Sequence, residues 1–128
     1  MKTIFIVDDQ MYIRKMLQMV LQENGYSTRE FASGSEFLAY LQTMPDDDKP
    51  FLILLDIMMP EISGFEILEK IKDIEQIADV PILVISARNQ KEDVLQALKL
   101  GAKDFIVKPP NIDSLIKRIK SCSYDLIF

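Results

Sequence analysis

The sequence contains no histidine. Without histidine a chain can build neither a Ser-His-Asp nor a Cys-His nucleophile system, and it cannot form a histidine-ligated zinc site. It also cannot donate a phosphoryl group from a phosphohistidine of its own. Any phosphoryl chemistry carried out by this chain must therefore use carboxylates, hydroxyls and lysines.

Cysteine is almost absent as well, since Cys122 is the single one. One cysteine excludes an internal disulfide and is typical of a buried thiol in a reducing compartment. Long apolar runs are missing too: the run after Lys2 is too short for a signal peptide or a membrane span, and no longer uncharged run occurs later. We therefore expect a soluble, cytoplasmic protein with no membrane contact.

Positive charge is not in excess. The net charge is −5 over 128 residues, whereas binding to nucleic acid depends on a basic surface. We therefore expect no direct nucleic-acid binding by this domain. The composition, 48% hydrophobic and 27% charged, is that of one folded domain with an ordinary core.

Short apolar runs alternate with segments of helical periodicity along the whole chain. The runs predict five strands, at residues 3–7, 26–31, 51–55, 81–86 and 104–108. A helix is predicted after each strand, the third from about residue 64 to 74 and the last beginning near Asn111 or Asp113. This alternation is typical of a doubly wound α/β fold, in which right-handed crossovers cover both faces of a parallel sheet with helices.

Polar and charged side chains stand at the ends of four predicted strands. The first strand is followed by Asp8 and Asp9 and the third by Asp56, while the fourth ends in Ser86 and the fifth in Lys108. Ligands of open parallel sheets bind outside the carboxyl ends of the strands. If the first and third strands are neighbours, we expect three carboxylates, a hydroxyl and an ammonium to meet at one edge.

Each of these residues also has an ordinary structural role open to it. Asp8 or Asp9 could cap the first helix, and Ser86 could cap the fourth. For any one of them, capping is the simpler interpretation. Their joint placement at four strand ends favours a functional site.

A cluster of three carboxylates requires positive charge. At separations of about 4–6 Å each pair repels by roughly 4 kcal/mol at an effective dielectric of 20. Lys108 supplies one charge and a divalent cation would supply the rest; oxygen ligands with few carboxylates suit Mg²⁺ better than Ca²⁺. A metal, a lysine and a hydroxyl beside Asp56 make it a candidate nucleophile in phosphoryl transfer, forming an aspartyl phosphate.

Four motifs at strand ends, IVDDQ, LLDIMMPEISG, VISA and DFIVKPP, resemble those of the receiver domain of bacterial two-component response regulators. The resemblance extends over essentially the whole chain. It implies a flavodoxin-like five-stranded parallel sheet in the order 2-1-3-4-5 with five helices. It also implies a receiver domain over residues 1–121, followed at 122–128 by a tail or the start of a linker.

The resemblance assigns a metal site and a phosphoacceptor. It implies that Asp56 accepts the phosphoryl group, and that Asp9, Asp56 and the backbone carbonyl of Met58 bind Mg²⁺ directly. Asp8 would act on the metal largely through water. Met58 and Arg88 occupy positions that tune dephosphorylation in the family, so we expect both to influence the lifetime of the phosphorylated state.

The same resemblance implies further roles. Ser86 and Lys108 would contact phosphoryl oxygens, and the peptide bond between Lys108 and Pro109 would be cis. Phe105 matches the switch aromatic that family members turn inward on phosphorylation. Phenylalanine stands there in place of the frequent tyrosine, so no phenol hydroxyl is available for a hydrogen bond.

The implied function is a switch in a phosphorelay. A histidine kinase or a histidine phosphotransfer protein would donate the phosphoryl group, and the response would pass to a downstream protein partner or to an output domain missing from this sequence. Homodimerisation on phosphorylation is a further expectation. Such a switch catalyses only its own phosphorylation and dephosphorylation and is not otherwise an enzyme.

Three other functions compete with this one. A Mg²⁺-dependent phosphohydrolase of the haloacid-dehalogenase type would need Asp-x-Asp after the first strand, where Asp8 and Asp9 are adjacent. A flavodoxin-like mononucleotide binder would need a phosphate loop rich in Gly, Ser or Thr where DDQMYIR stands. A degenerate receiver that only binds partners is the third, and the complete set of site residues disfavours it.

Overall fold

Five parallel strands form one open sheet in the computed structural model, which describes residues 2–127 and the side chains of residues 2–122. The strands are β1 (Thr3–Val7), β2 (Ser27–Phe31), β3 (Leu52–Leu55), β4 (Ile82–Ser86) and β5 (Asp104–Val107). Their order is β2-β1-β3-β4-β5, and all four neighbouring pairs are parallel. The predicted doubly wound fold and its strand order are confirmed.

Five α-helices connect and follow the strands. They are α1 (Met11–Glu23), α2 (Gly34–Thr43), α3 (Gly64–Ile71), α4 (Lys91–Lys99) and α5 (Ile112–Ile127). Two short 3-10 helices, Asp46–Asp48 and Glu75–Ile77, lie in the connections before β3 and β4. The first of them lies within the acidic segment 44–50, MPDDDKP.

The third helix is shorter than predicted, since α3 ends at Ile71 and not near Ile74. The N–H of Asp73 donates to the carbonyl of Lys70, and that of Ile74 donates to Ile71, so the chain tightens into three-residue turns there. Ile74 still packs against the core from this turn. Because Ile74 continues the apolar spacing of α3, the sequence predicts one more helical turn than the structure forms.

The two faces of the sheet carry two separate hydrophobic clusters. Side chains alternate along each strand, so Phe5 and Val7 of β1 point to one face, and Ile4 and Ile6 point to the other. The first face packs against α2, α3 and α4, and the second packs against α1 and α5. Burial on both faces explains why the central strands are continuous apolar runs.

Polar side chains and a glycine mark three of the helix ends. Ser33 caps α2, because its hydroxyl accepts a hydrogen bond from the N–H of Glu36 at 3.1 Å. Asn111 precedes α5 and its side chain accepts from the N–H of Ser114 at 2.9 Å. Gly25 follows α1 with φ of +89°, a left-handed conformation in which glycine ends helices.

The last helix passes through the domain boundary expected after residue 121, since α5 continues to Ile127. Phe128, the end of the expected tail, lies outside the described residues. Among residues 2–127, no helix has the length and apolar character needed to cross a lipid bilayer.

Candidate functional site

The predicted site residues meet at the carboxyl edge of the sheet. Asp8 and Asp9 directly follow β1, Asp56 follows β3, Ser86 is the last residue of β4, and Lys108 follows β5. Because β1, β3, β4 and β5 are consecutive in the sheet, these side chains come from four adjacent strands. The spatial convergence that the sequence predicts is therefore present.

Backbone hydrogen bonds hold these residues in place beyond the strand ends. The N–H of Asp8 donates to the last residue of β2 at 3.1 Å, and that of Asp56 donates to the last residue of β1 at 2.9 Å. The N–H of Lys108 donates to the carbonyl of Ser86 at 2.9 Å. The hydrogen bonding between strands thus extends into the site, so the sheet fixes the backbone position of each of these residues.

The ammonium of Lys108 is surrounded by three oxygen atoms. Its Nζ lies 2.7 Å from Oδ2 of Asp8, 3.1 Å from Oδ2 of Asp56 and 2.9 Å from Oε1 of Gln10. Burial would lower the pKa of Lys108, but the contacts with Asp8 and Asp56 outweigh it and leave that pKa raised. Lys108 is therefore a fixed positive charge at neutral pH.

Asp56 is 2% exposed and is held at both carboxylate oxygens. Oδ1 accepts from the N–H of Met58 at 2.9 Å, and Oδ2 accepts from Lys108. Burial raises the pKa of Asp56, and the neighbouring carboxylate of Asp8 raises it further, while the Met58 N–H and Lys108 act in the opposite direction. The net effect is a raised pKa, so the protein's own groups do not fully offset the negative charge of ionised Asp56.

The carboxylate of Asp8 is held at both oxygens as well. Asp8 is fully buried; its Oδ1 accepts from the N–H of Gln10 at 2.9 Å. Its Oδ2 lies 2.7 Å from the Lys108 ammonium, which is an ion pair between two buried side chains. Asp8 and Asp56 therefore share the single ammonium of Lys108.

Three carboxylates are close enough to share one cation. One oxygen from each of Asp8, Asp9 and Asp56 lies within 4.8 Å of the other two. Three carboxylates with one ammonium, that of Lys108, leave a formal charge of −2. Asp9 is exposed and opens the cluster to solvent. Oxygen donors, excess negative charge and access from solvent together fit a divalent cation such as Mg²⁺.

Ser86 is buried, and its hydroxyl oxygen accepts from the N–H of Arg88 at 3.1 Å. It does not cap α4, whose N-cap residue is Gln90. The side chain of Arg88 turns away to α4, where its Nε donates to Asp93 at 2.8 Å. A serine oxygen that accepts one hydrogen bond keeps its own O–H free to donate.

Two contributors to the site carried no signal in the sequence. Gln10, and neither Asp8 nor Asp9, is the N-cap residue of α1, and its amide oxygen completes the environment of Lys108. Asp93 is 4% exposed, although it looks like an ordinary acid in the first turn of a helix. Both contacts depend on three-dimensional placement, which residue spacing does not report.

The loop after Asp56 is folded tightly against the site. A Cβ added to Gly64 would lie 2.5 Å from the Cα of Ile57 and 2.6 Å from the carbonyl oxygen of Asp56. Glycine is therefore needed at position 64 for this close approach. Met59 is 8% exposed and belongs to the core, while Met58 is 50% exposed beside the site.

Phe105 and Pro109 lie on either side of Lys108. The peptide bond between Lys108 and Pro109 is cis. The ring of Phe105 is 8% exposed and packs in the cluster on the α2, α3 and α4 face. The family resemblance predicts that this ring turns inward on phosphorylation. In this structure the ring already lies inside that cluster, so no outward position is seen.

The fold and the site define a class: a doubly wound α/β domain with an acidic, lysine-containing centre suited to phosphoryl chemistry at the carboxyl ends of its strands. The family model described as the response regulator receiver domain matches residues 4–120. This chain therefore belongs to the response regulator receiver domain family. It is a receiver domain of two-component signalling, as the four motifs predict.

Curated relatives support the same assignment. The chain is 38% identical over 120 residues to the phosphate regulon transcriptional regulatory protein PhoB of Pseudomonas aeruginosa, a match that covers 94% of this chain and 51% of PhoB. It is 36% identical over 118 residues to response regulator SaeR of Staphylococcus epidermidis, covering 92% of this chain and 48% of SaeR. The chain thus corresponds to about half of each of these proteins.

Solved structures share the whole fold. The chemotaxis protein CheY4 of Vibrio cholerae superposes with a TM-score of 0.85 at 30% identity, over 95% of this chain and 98% of CheY4. The BeF3-activated receiver domain of DrrB gives a TM-score of 0.82 at 31% identity, over 97% and 98% of the two chains. A receiver-type signalling switch is therefore favoured over a phosphohydrolase or a mononucleotide binder.

Proposed function

We propose that this receiver domain accepts a phosphoryl group on Asp56 from the phosphohistidine of a histidine kinase or a histidine phosphotransfer protein. The observation that carries the proposal is the contact of 3.1 Å between Oδ2 of Asp56 and Nζ of Lys108. Both side chains are almost fully buried, beside two further carboxylates. Lys108 is thus placed to pair with a phosphoryl oxygen on Asp56.

Asp8, Asp9 and Asp56 would hold Mg²⁺, with the backbone carbonyl of Met58 as a further ligand. The three carboxylates within 4.8 Å of one another, and the formal charge of −2 that Lys108 leaves uncompensated, support this assignment. When bound, the ion supplies positive charge that offsets the carboxylates and the phosphoryl oxygens.

The chain's own residues account for the rest of the transfer. A carboxylate oxygen of Asp56 forms a bond to phosphorus while the bond from phosphorus to the donor's imidazole nitrogen breaks, and that nitrogen keeps the electron pair. Lys108 pairs with a phosphoryl oxygen, and the free O–H of Ser86 donates to another. Hydrolysis of the acyl phosphate returns the carboxylate, so the domain catalyses only its own phosphorylation and dephosphorylation.

Ser86 and Phe105 would form the switch that reports phosphorylation. The hydroxyl of Ser86 is bonded to Arg88, and Arg88 is paired with Asp93 in α4. A shift of Ser86 toward a phosphoryl group would therefore act on α4 through two contacts, and it would shift populations of conformers of α4 and β5. Because Phe105 is already buried, its part in the switch would be a repacking within the core.

The output would go to a downstream protein partner or to an output domain. The length of PhoB and SaeR, about twice that of this chain, supports an output domain outside this sequence. Homodimerisation on phosphorylation, the cytoplasmic location, the domain boundary after residue 121 and the lack of direct nucleic-acid binding stay predictions.

An intact-mass measurement tests the proposal. The protein is incubated with acetyl phosphate and Mg²⁺, with EDTA in a parallel sample, beside Asp56→Asn and the exposed control Asp73→Asn. We expect a one-phosphoryl adduct on the wild type and on Asp73→Asn, and none with EDTA or on Asp56→Asn. An equal adduct on Asp56→Asn would show that another residue is the acceptor.

A second assay separates the switch from a phosphohydrolase. Sustained turnover of p-nitrophenyl phosphate would indicate an enzyme acting on small esters. We expect no turnover above that of Asp56→Asn, because Asp8 and Asp9 are adjacent and lack the Asp-x-Asp spacing of such an enzyme.

A further inference from the structure

Arg14 contacts the acidic site although it is not part of it. It lies in the first turns of α1, and its side chain is 14% exposed. Its Nη1 donates to the backbone carbonyl oxygen of Asp8 at 2.7 Å, which is short for a nitrogen donor and typical of a charged one. This contact reaches the peptide group that joins Asp8 to Asp9.

Asp8 does not need this contact for its own placement. Its N–H donates to the carbonyl of Phe31, its Oδ1 accepts from Gln10, and its Oδ2 faces Lys108. Three attachments at three different atoms already fix the residue. The bond from Arg14 therefore acts mainly on the placement of the next residue in the chain.

That next residue is Asp9, which is exposed. A peptide group is planar, so fixing the carbonyl oxygen of Asp8 fixes the direction in which the chain continues to the Cα of Asp9. Asp9 contributes one of the three carboxylates that lie within 4.8 Å of one another. The orientation of this peptide therefore decides whether the exposed carboxylate points into the cluster.

Arg14 is itself held by the sheet. Its Nε lies 3.6 Å from Oε1 of Glu30, and Glu30 pairs in register with Ile6 in the ladder between β1 and β2. A planar guanidinium can reach two acceptors at a fixed angle, whereas the single nitrogen of a lysine cannot. Glu30 also offsets the charge of Arg14, which would otherwise repel a cation bound nearby.

We propose that Arg14 is a positioning residue for metal binding. It bridges the carbonyl oxygen of Asp8 and the carboxylate of Glu30 in β2, and by fixing the Asp8–Asp9 peptide it orients Asp9. The inference rests on the proposed metal site and names a residue that supports it from outside. It predicts that Arg14 affects metal affinity through geometry and not through charge.

The chain offers a matched control in Lys15. Its Nζ lies 3.5 Å from the other carboxylate oxygen of Glu30, so it shares the anchor of Arg14, but its side chain is 61% exposed. Replacing Lys15 removes a positive charge at the same anchor without touching the peptide. Arg14→Lys does the opposite, since it keeps the charge and loses the two-point contact.

The experiment measures the dissociation constant for Mn²⁺ by the EPR signal of the free ion, with no phosphoryl donor present. We expect Arg14→Lys to raise this constant by about tenfold, the scale seen for residues that orient metal ligands. Lys15→Gln should change it by less than about twofold, as expected of an exposed charge. Arg14→Gln should also weaken binding, although removal of a cation alone would strengthen it.

A double-mutant cycle tests the route through Asp9. If Arg14 acts by orienting Asp9, Arg14→Lys should have no further effect on residual Mn²⁺ binding in an Asp9→Asn background. Urea unfolding in EDTA checks that each variant is folded under the conditions of the titration. If Arg14→Lys does not fold, the same comparison is made with Arg14→Gln.

The outcomes separate the two claims. If the wild type binds no Mn²⁺, the proposed metal site is wrong. If the wild type binds and Asp9→Asn weakens binding, but the folded Arg14 variants bind as tightly as the wild type, the site stands and the role of Arg14 is refuted. If Arg14→Lys weakens Mn²⁺ binding by the same factor in the wild type and in the Asp9→Asn background, positioning through Asp9 is likewise refuted.

Discussion

The ammonium of Lys108 and the carboxylate of Asp56 lie 3.1 Å apart, although 52 positions separate them in the chain. Their distance is set by the sheet, because Asp56 follows β3, Lys108 follows β5, and only β4 stands between these strands. The pair is buried and is shared with Asp8, so it links the stability of the fold to the chemistry of the site.

Loss of Lys108 should destabilise the metal-free protein. Lys108→Met leaves the carboxylates of Asp8 and Asp56 buried without their cation, and breaking a buried pair in this way costs about 3 kcal/mol. Urea unfolding in EDTA measures the free energy of unfolding. The exposed control Lys99→Met should stay within about 0.5 kcal/mol of the wild type. Equal effects of the two substitutions would mean that Lys108 does not compensate the acids.

Asp56→Asn should stabilise the metal-free protein at neutral pH, by on the order of 1 kcal/mol, because it removes an under-compensated buried charge. Burial raises the pKa of Asp56 in the folded state above its unfolded value. The folded state therefore binds the proton more tightly, and this contribution to stability is lost as pH rises through the folded pKa.

The advantage of Asp56→Asn over the wild type should accordingly be larger at pH 7.5 than near pH 4, close to the ordinary pKa of an aspartate. Urea unfolding at the two pH values in EDTA measures this difference. An advantage that grows toward low pH would mean that the pKa of Asp56 is lowered in the folded state. Saturating Mg²⁺ should reduce the advantage, because the ion favours the ionised carboxylate.

The pair formed by Arg88 and Asp93 should matter more than an ordinary surface ion pair. Asp93 has a side-chain exposure of 6%, so Arg88→Met leaves a buried carboxylate without its partner. We expect a loss of about 1 kcal/mol in the free energy of unfolding, since Arg88 itself is half-exposed and partly screened. We also expect the lifetime of the phosphorylated state to change, as measured by decay of the adduct.

Lys49 provides the control for this prediction. Its Nζ lies 2.8 Å from Asp79, the same distance as in the Arg88 pair, but the two side chains are 43% and 71% exposed. Lys49→Met should cost less than about 0.5 kcal/mol. If the two substitutions cost the same, burial of Asp93 contributes nothing to the strength of its pair.

Gly64→Ala should damage both the fold and the site. Its Cβ would overlap the backbone of Asp56 and Ile57, which cannot move without shifting β3, so we expect a loss of about 2 kcal/mol or more. Gly34→Ala is the control, because the nearest atom there is the end of the Ile67 side chain at 2.8 Å. That flexible group can move aside, and a loss as large as that of Gly64→Ala would contradict this explanation.

The sequence predicts the fold well because the central strands are unusually clear. The run 51–55 is apolar throughout, as expected of a strand buried on both faces, and the turns after the second to the fifth strand carry Gly, Pro, Ser or Asn. The predicted end of α3 is wrong because Ile74 continues the apolar period while the backbone has already left the helix. The strand order came from the family resemblance, since alternation alone does not fix it.

The site was predictable as far as strand ends determine it. Asp8, Asp9, Asp56, Ser86 and Lys108 are located directly by where the strands stop. The supporting residues were not predictable, because Gln10 and Arg14 contact the site, and Asp93 holds Arg88, from helices and loops. Their side chains span several ångströms in directions that depend on packing, and no spacing rule records those directions.

The central claim is that Asp56 carries the phosphoryl group. After incubation with acetyl phosphate and Mg²⁺, reduction by borohydride converts an aspartyl phosphate to homoserine, and peptide mass spectrometry then locates the changed residue. We predict homoserine at position 56 and at no other aspartate. Homoserine at Asp8 or Asp9 with Asp56 unchanged would contradict the proposed function.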